Sequence, residues 1–339
     1  MEAAALTQEE ATELTGALVR MGLAAPADVP RYTPLAGGVS SLIVRADIAG
    51  RSVCIKRALA KLKVASDWSA PVERSDAEAA WLRAAAAIVP GAVPQVLGQD
   101  AVTRAFAMDY LEPAANPVWK TQLLAGKADT ATAAAVAGGL VAIHNATALR
   151  PDVAAAFPNH VNFSALRLEP YFAAAAAAHP AHAAVLHSLI ARTGGNRLAL
   201  IHGDVSPKNI LVGAQGPVLV DAECATFGDP AFDAAFCLNH LLLKCVWRPE
   251  AKAGYLACYD AFVQTYLAAV QWEPPAGIEQ RISTLLPALL LARIDGKSPV
   301  EYITTAKDRS AVRGFALESL HKPADTLTGL RNNWNNQLP

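Results

Sequence analysis

What this sequence lacks narrows its chemistry before any motif is read. Only five of its 339 residues are cysteine (54, 224, 237, 245 and 258), an odd number with no CxxC pair and no histidine at zinc-ligand spacing beside them. That pattern argues against a disulfide framework or a structural zinc site and leaves the thiols as small buried hydrophobes. Neither sign of charge is in excess: 29 lysines and arginines face 30 aspartates and glutamates, for a net charge of −1. A chain so balanced has no global field to draw in nucleic acid or anionic lipid, so recognition must be local. Long apolar runs are missing too. LLLKCVW at 241–247 and LLPALLLA at 285–292 fall far short of the roughly 20 residues that cross a bilayer. The acidic start MEAAALTQEEATEL lacks the basic segment and apolar core of a secretory signal. The expectation is a soluble cytoplasmic protein, monomer or homodimer, with no nucleic-acid or membrane partner. No fixed-period repeat is present, and the alanine tracts read as closely packed helices.

What is present divides in two. At 339 residues the chain exceeds one simple core and suits two lobes with a cleft between them. Leu6, Thr7 and Glu10 spell a hydrophobe, a helix N-cap and its capping-box partner, opening a helix to about Gly22. The period then changes to that of antiparallel strands, Leu42 to Ala46 and Ser52 to Lys56, separated by glycine turns. A helix from Val72 to Ala87, stopped by Pro90-Gly91, and two short strands near Gln95–Gly98 and Phe106–Leu111 complete this part. Beyond Leu111 the pattern is almost wholly helical, with candidates at 129–147, 166–178, 181–193, 230–247, 251–270, 277–293 and 310–320 and one β interruption from Ala199 to Val220. The fold class expected is α+β and bilobal: a small antiparallel-sheet N-lobe over 1–109 and a larger helical C-lobe over 110–339.

The β interruption carries the chemistry. In IHGDVSPKNIL at 201–211, Asp204 stands five residues before Asn209, and Asp221 follows twelve residues later behind the strand-like GPVLVD. One carboxylate to meet a hydroxyl, with an amide and a second carboxylate to hold magnesium on nucleotide phosphates, is the arrangement that phosphoryl transfer requires. The alternative, turn formers before a strand, leaves the whole spacing to coincidence. In the small lobe, LAGGVSSLIV offers Gly37 and Gly38 for close backbone approach and Ser40 and Ser41 as hydroxyl and N–H donors to phosphate, although a plain turn reads the same way. VCIK then places Lys56 at a strand end.

The stretch HGDVSPKN followed by Asp221 resembles the aminoglycoside phosphotransferase and choline kinase-like family of the protein-kinase fold, and His202, Asp204, Asn209 and Asp221 match its motif position by position. The likeness runs from Gly37 to about Phe315. It implies an ATP- and Mg2+-dependent kinase: Asp204 catalytic, Asn209 and Asp221 on the metal, Lys56 on the phosphates with Glu78 to fix it, and adenine against Met108, the Asp109 carbonyl and the Leu111 N–H. It also implies that Asp233, in GDPAFD, braces the catalytic loop beside His202, while Asp229 caps the helix starting at Pro230. Asp-Ala-Glu at 221–223 is similar to the Asp-Pro-Glu of methylthioribose kinases, so that Glu223 is either a further metal ligand or a structural glutamate. Trp68, in the loop after Lys56, and the run VWKTQLLAG at 118–126 share that likeness. Acceptor candidates are Trp68 and the charged cluster Arg293, Asp295 and Lys297, which a solvated helix end also explains. The acceptor implied is a small hydroxylated metabolite, sugar or sugar thioether, with aminoglycoside phosphorylation and a nucleotide-binding pseudokinase as alternatives.

Overall fold

The computed structural model describes residues 6–35, 41–59 and 72–337. Helix α1 (Gln8–Arg20) opens as its cap residues demand: the Thr7 hydroxyl accepts the Glu10 N–H at 3.2 Å, and the Glu10 carboxylate takes the Thr7 N–H at 2.9 Å. Strands β1 (Arg31–Pro34), β2 (Ser41–Ile48) and β3 (Arg51–Ala58), helix α2 (Arg74–Ile88), and strands β4 (Val96–Asp100) and β5 (Ala105–Asp109) follow. The five strands form one antiparallel sheet in the order β1-β2-β3-β5-β4.

Strand alternation assigns this sheet two jobs. Val53 and Ile55 of β3, with Ala105 and Ala107 of β5, face α1 and pack with Leu14, Leu18 and Val44 into a small core of its own. Fully burying a leucine there contributes roughly 1.5–3 kcal/mol. The alternate residues Cys54, Phe106 and Met108 join the main core with Trp81 and Leu82 of α2. Lys56 shares their side of β3, opposite Phe106 in register.

The rest is helical: α3 (Trp119–Leu124), α4 (Thr130–Thr147), α5 (Pro151–Ala156), α6 (His160–Phe163), a π-helix over Ser164–Ala173, α7 (Ala174–Ala178) and α8 (Ala183–Gly195). Next come β6 (Ala199–Ile201), the hairpin β7 (Ile210–Gly213) and β8 (Gly216–Leu219), β9 (Thr226–Gly228), and helices α9 (Pro230–Trp247), α10 (Lys252–Ala269), α11 (Pro275–Asp295), α12 (Ala306–His321) and α13 (Leu327–Gln337). Helix α9 is the axis of this part. Asp229 caps it, accepting the Ala231 N–H at 3.0 Å ahead of the N1 proline, and every residue from Pro230 to Val246 is buried. No helix among the described residues is long and apolar enough to cross a membrane.

Three sequence-based expectations need correction. The helix expected over 166–178 is a π-helix followed by a short α-helix, because Pro170 stands inside it. The β segment does not end at Val220: β9 lies beyond it and pairs antiparallel with β6. Helices α3, α5, α6 and α13 are additional, mostly short elements whose hydrophobic period is too brief to register.

Candidate active site

The loop after β6 is held from below by one carboxylate. Asp233, in the first turn of α9 and fully buried, accepts the N–H of His202 at 2.7 Å and of Gly203 at 2.8 Å. His144 Nε2 lies 3.3 Å from the same side chain. Gly203 has φ of +78°, and a Cβ there would stand 2.6 Å from the Cys224 carbonyl oxygen, so only glycine fits this approach. The buried His202 ring receives the Asp204 N–H on Nδ1 at 3.1 Å and sets Nε2 3.1 Å from the Val220 carbonyl, the pattern of a neutral Nε2–H tautomer. Burial also pushes this imidazole below its ordinary value.

Asp204 is 2% exposed, and the nearest contacts of three donors converge on its Oδ2: Arg167 Nη2 at 2.7 Å, Lys208 Nζ at 3.3 Å and Asn209 Nδ2 at 2.8 Å. Burial alone would raise this carboxyl, but Arg167 and then Lys208 outweigh it and hold it below the usual carboxylate range. Arg167 reaches the loop from the π-helix, where it also donates to the Gly203 carbonyl at 2.8 Å and to the Leu166 carbonyl at 2.7 Å. Leu166 is four residues before Pro170, whose missing N–H cannot serve that carbonyl in an α-turn. The widened turn and the guanidinium supply what the proline removes, and such π segments recur at functional sites.

The β7–β8 hairpin brings Asp221 beside the same loop. Ile210 pairs with Leu219, and the Val220 N–H reaches the Asn209 carbonyl at 3.0 Å. Asp221 itself has φ of +68°, a left-handed conformation uncommon for a residue other than glycine. Lys56 joins the sheet to this hairpin: its Nζ lies 2.7 Å from a Glu78 carboxylate oxygen and is hydrogen-bonded to Asp221 Oδ1. Burial would strip the lysine of its proton, yet Asp221 and Glu78 outweigh it and raise its affinity for that proton. Burial likewise works to raise Asp221, but Lys56 and Lys208 keep it well below the ordinary carboxylate value. Glu78, buried and near that second carboxylate, is pushed up to about 7 chiefly by burial.

The sequence-selected residues distribute unevenly. His202, Asp204, Asn209 and Asp233 form one hydrogen-bonded group and Lys56, Glu78 and Asp221 a second, and the two meet at Val220, whose backbone bonds to His202 and Asn209. Glu223 is 7% exposed and engaged by the buried Arg74, whose Nε lies at 3.1 Å. Ser41 opens β2, buried and opposite Ala58. Met108 lies in the main core at the end of β5, the Asp109 N–H bonds to the Gln95 carbonyl at 3.0 Å, and the Leu111 N–H makes no hydrogen bond among the described residues. Arg293 donates from Nη1 to the Tyr171 hydroxyl at 3.3 Å and to Ser298 Oγ at 2.9 Å. Asp295 is committed elsewhere, to Arg313 at 2.6 Å and His179 at 2.8 Å, and Lys297 is exposed. Gly37, Gly38, Ser40 and Trp68 lie outside the described residues. The sequence reading missed Arg167, Arg74 and Lys208. Lys208 stood inside the motif itself, four residues after Asp204; Arg167 had only its place two residues before an acidic-proline pair as a signal.

A sequence profile of the APH phosphotransferase enzyme family matches residues 31–266. The chain belongs to that family and is a phosphotransferase. Among solved structures, a choline/ethanolamine kinase family protein from Mesorhizobium loti is 15% identical with a TM-score of 0.52, covering 96% of this chain and 99% of its own. Amicoumacin kinase hAmiN, solved with AMP-PNP, Ca2+ and Ami, is 13% identical with a TM-score of 0.52, covering 96% of this chain and 97% of its own. These likenesses show the shared protein-kinase-like fold. No curated protein sequence matches the chain.

Proposed function

We propose that the protein is an ATP-dependent, magnesium-dependent small-molecule kinase that transfers the γ-phosphate to a hydroxyl of a small metabolite, of the sugar or sugar-thioether kind. One observation carries the reading: the Asp204 carboxylate is fixed through Oδ2 by Arg167, Lys208 and Asn209, so that Oδ1 is the oxygen left for a substrate hydroxyl.

The donor chemistry fits a hard cation. Asp221 and Asn209 supply one carboxylate and one amide oxygen on adjoining backbone, and magnesium takes few protein ligands because phosphates and water complete its shell. When bound, the ion would neutralise charge on the β- and γ-phosphates. Lys56, held by Glu78, is positioned to meet the α- and β-phosphates, and the free Leu111 N–H suits an adenine ring nitrogen. Asp204 then accepts a hydrogen bond from the acceptor hydroxyl. As the hydroxyl oxygen forms its bond to the γ-phosphorus, the bond from that phosphorus to the β–γ bridging oxygen breaks. ADP leaves with the electron pair, and the hydroxyl proton passes to Asp204 Oδ1. A carboxylate held below its usual range is a weak ground-state base, which supports orientation first and proton acceptance late. Arg167 and Lys208 keep it ionised in its buried place.

The test is magnesium-dependent ADP release across a panel of sugars, amino alcohols and aminoglycosides. Asp204→Asn should lower kcat at least a hundredfold while the Kd for MgATP stays within about threefold, the range expected of general-base loss. Equal turnover by this variant would refute the assignment. Tight nucleotide binding with no turnover on any acceptor would favour the pseudokinase reading.

A further inference from the structure

Helix α9 carries more buried polar chemistry than its catalytic brace requires. Asp233, Phe236, His240 and Lys244 recur at helical spacing on one face, with Asp233 and Lys244 eleven residues, or about 16 Å of helix, apart. Asp233 holds the catalytic loop at one end. Phe236 then packs against the Arg167 guanidinium, 5.7 Å from its ring centroid, and edge-on against His240 at 5.6 Å. This face therefore leads directly away from Asp204.

At its far end the face holds hydrogen-bond donors without acceptors. Lys244 is 1% exposed; its side chain makes no hydrogen bond or ion pair among the described residues and sets Nζ 3.4 Å from the centroid of the Tyr302 ring. The His240 ring is buried and likewise makes no hydrogen bond among them. The Tyr302 hydroxyl and Arg293 Nε are buried without a partner. The Arg293 guanidinium stands 5.8 Å from the Tyr171 ring centroid, the same ring that Arg167 approaches from the catalytic side. Lys120 and Lys208 add to the positive surroundings of His240, and the carboxylate acting on Lys244, that of Glu301, is already paired with Lys120. Burial, then Arg293 and Lys244, press the imidazole far below its ordinary value. Buried donors that lack an acceptor on the protein side, with the cations Lys244 and Arg293 among them, are costly unless a ligand supplies the acceptor.

Building on the kinase reading, we propose that the phosphoryl acceptor bears an anionic group, a carboxylate or a phosphate ester, remote from its reacting hydroxyl, and that Lys244, His240 and Arg293 hold that anion. A polycationic acceptor would meet repulsion along the same face.

The experiment compares kcat/KM for a neutral hexose, its aldonate, its 6-phosphate and its amino-sugar counterpart, at saturating MgATP. One of the two anionic sugars should exceed both others at least tenfold, the better one telling carboxylate from phosphate. Lys244→Met and Arg293→Gln should each raise KM for that acceptor at least tenfold with kcat changed less than threefold. Preference for the neutral or cationic sugar, abolished by Asp204→Asn, would overturn the anion proposal while leaving the kinase reading intact. A second measurement holds even if no sugar in the set is turned over. With saturating Mg–AMP-PNP, millimolar inorganic phosphate or gluconate should raise the melting temperature of the wild-type protein, and Lys244→Met should lose that rise. No rise with either anion, or an equal rise in the variant, would overturn the proposal.

Discussion

Replacing Lys244 by methionine should stabilise the protein, and the size of the effect follows from two opposing terms. Methionine keeps the length of the side chain and removes its charge. Burial, with Lys120 and Arg293 acting against the charge and Glu301 for it, lowers the Lys244 ammonium from 10.5 to about 7. At about 1.4 kcal/mol per pH unit, that interval corresponds to a cost of about 5 kcal/mol for burying the cation. The Tyr302 ring, 3.4 Å from Nζ, returns about 2 kcal/mol as a desolvated cation–π contact. Desolvation wins, so Lys244→Met should be more stable by about 3 kcal/mol at pH 6, where the lysine is protonated in both the folded and the unfolded chain. The unfolded chain keeps its proton up to 10.5, whereas the folded one, in which the cation is disfavoured, releases it at lower pH. Wild-type stability therefore rises with pH across that window, and the advantage of the variant should shrink to below about 1 kcal/mol by pH 10. Urea unfolding of both proteins at pH 6, 8 and 10 measures this directly. A variant less stable than wild type by the same amount at every pH would refute the claim that an uncompensated charge is buried on α9.

Two further expectations test the loop after β6. In Arg167→Met, burial is no longer opposed by the nearest cation, so Asp204 should titrate higher and the acid limb of the kcat/KM profile should move to higher pH; an unmoved limb would remove Arg167 from its assigned role. Gly203→Ala combines a φ of +78° with a Cβ 2.6 Å from the Cys224 carbonyl oxygen and should cost about 2–4 kcal/mol, read by chemical unfolding, whereas a loss under about 0.5 kcal/mol would show that the loop relaxes freely.

How far the sequence could be read depended on the range of each interaction. The capping box at Thr7 and Glu10, the Asp229-Pro230 start of α9 and the spacing of Asp204 to Asn209 are local statements, decided within a few residues, and each has its counterpart in the structure. Strand alternation in VCIK was equally local and set Lys56 on the side facing α2. Arg167 was illegible because its partner lies 37 positions away and its π-turn leaves no periodic mark. Arg74 and Glu223 are separated by 149 positions, so that nothing near either residue announces the pair. Asp295 looked available beside Arg293 until the fold brought His179 and Arg313 to it. Lys244 was visible only as one lysine interrupting LLLKCVW, where hydropathy registers a blemish and gives no sense of what surrounds it.

The two-faced character of β3 has a consequence for how this enzyme can change. Because neighbouring side chains on a strand point oppositely, the leucines of α1 dictate which way Lys56 looks: sliding the strand by one position would send the ammonium among Leu14 and Leu18 and turn Val53 and Ile55 toward Glu78. A helix on the opposite face of the sheet thereby acts as the jig on which the Lys56 ammonium is aligned toward Glu78 and Asp221. Substitutions in α1 that loosen its grip should accordingly surface as lost phosphoryl transfer before they surface as lost fold.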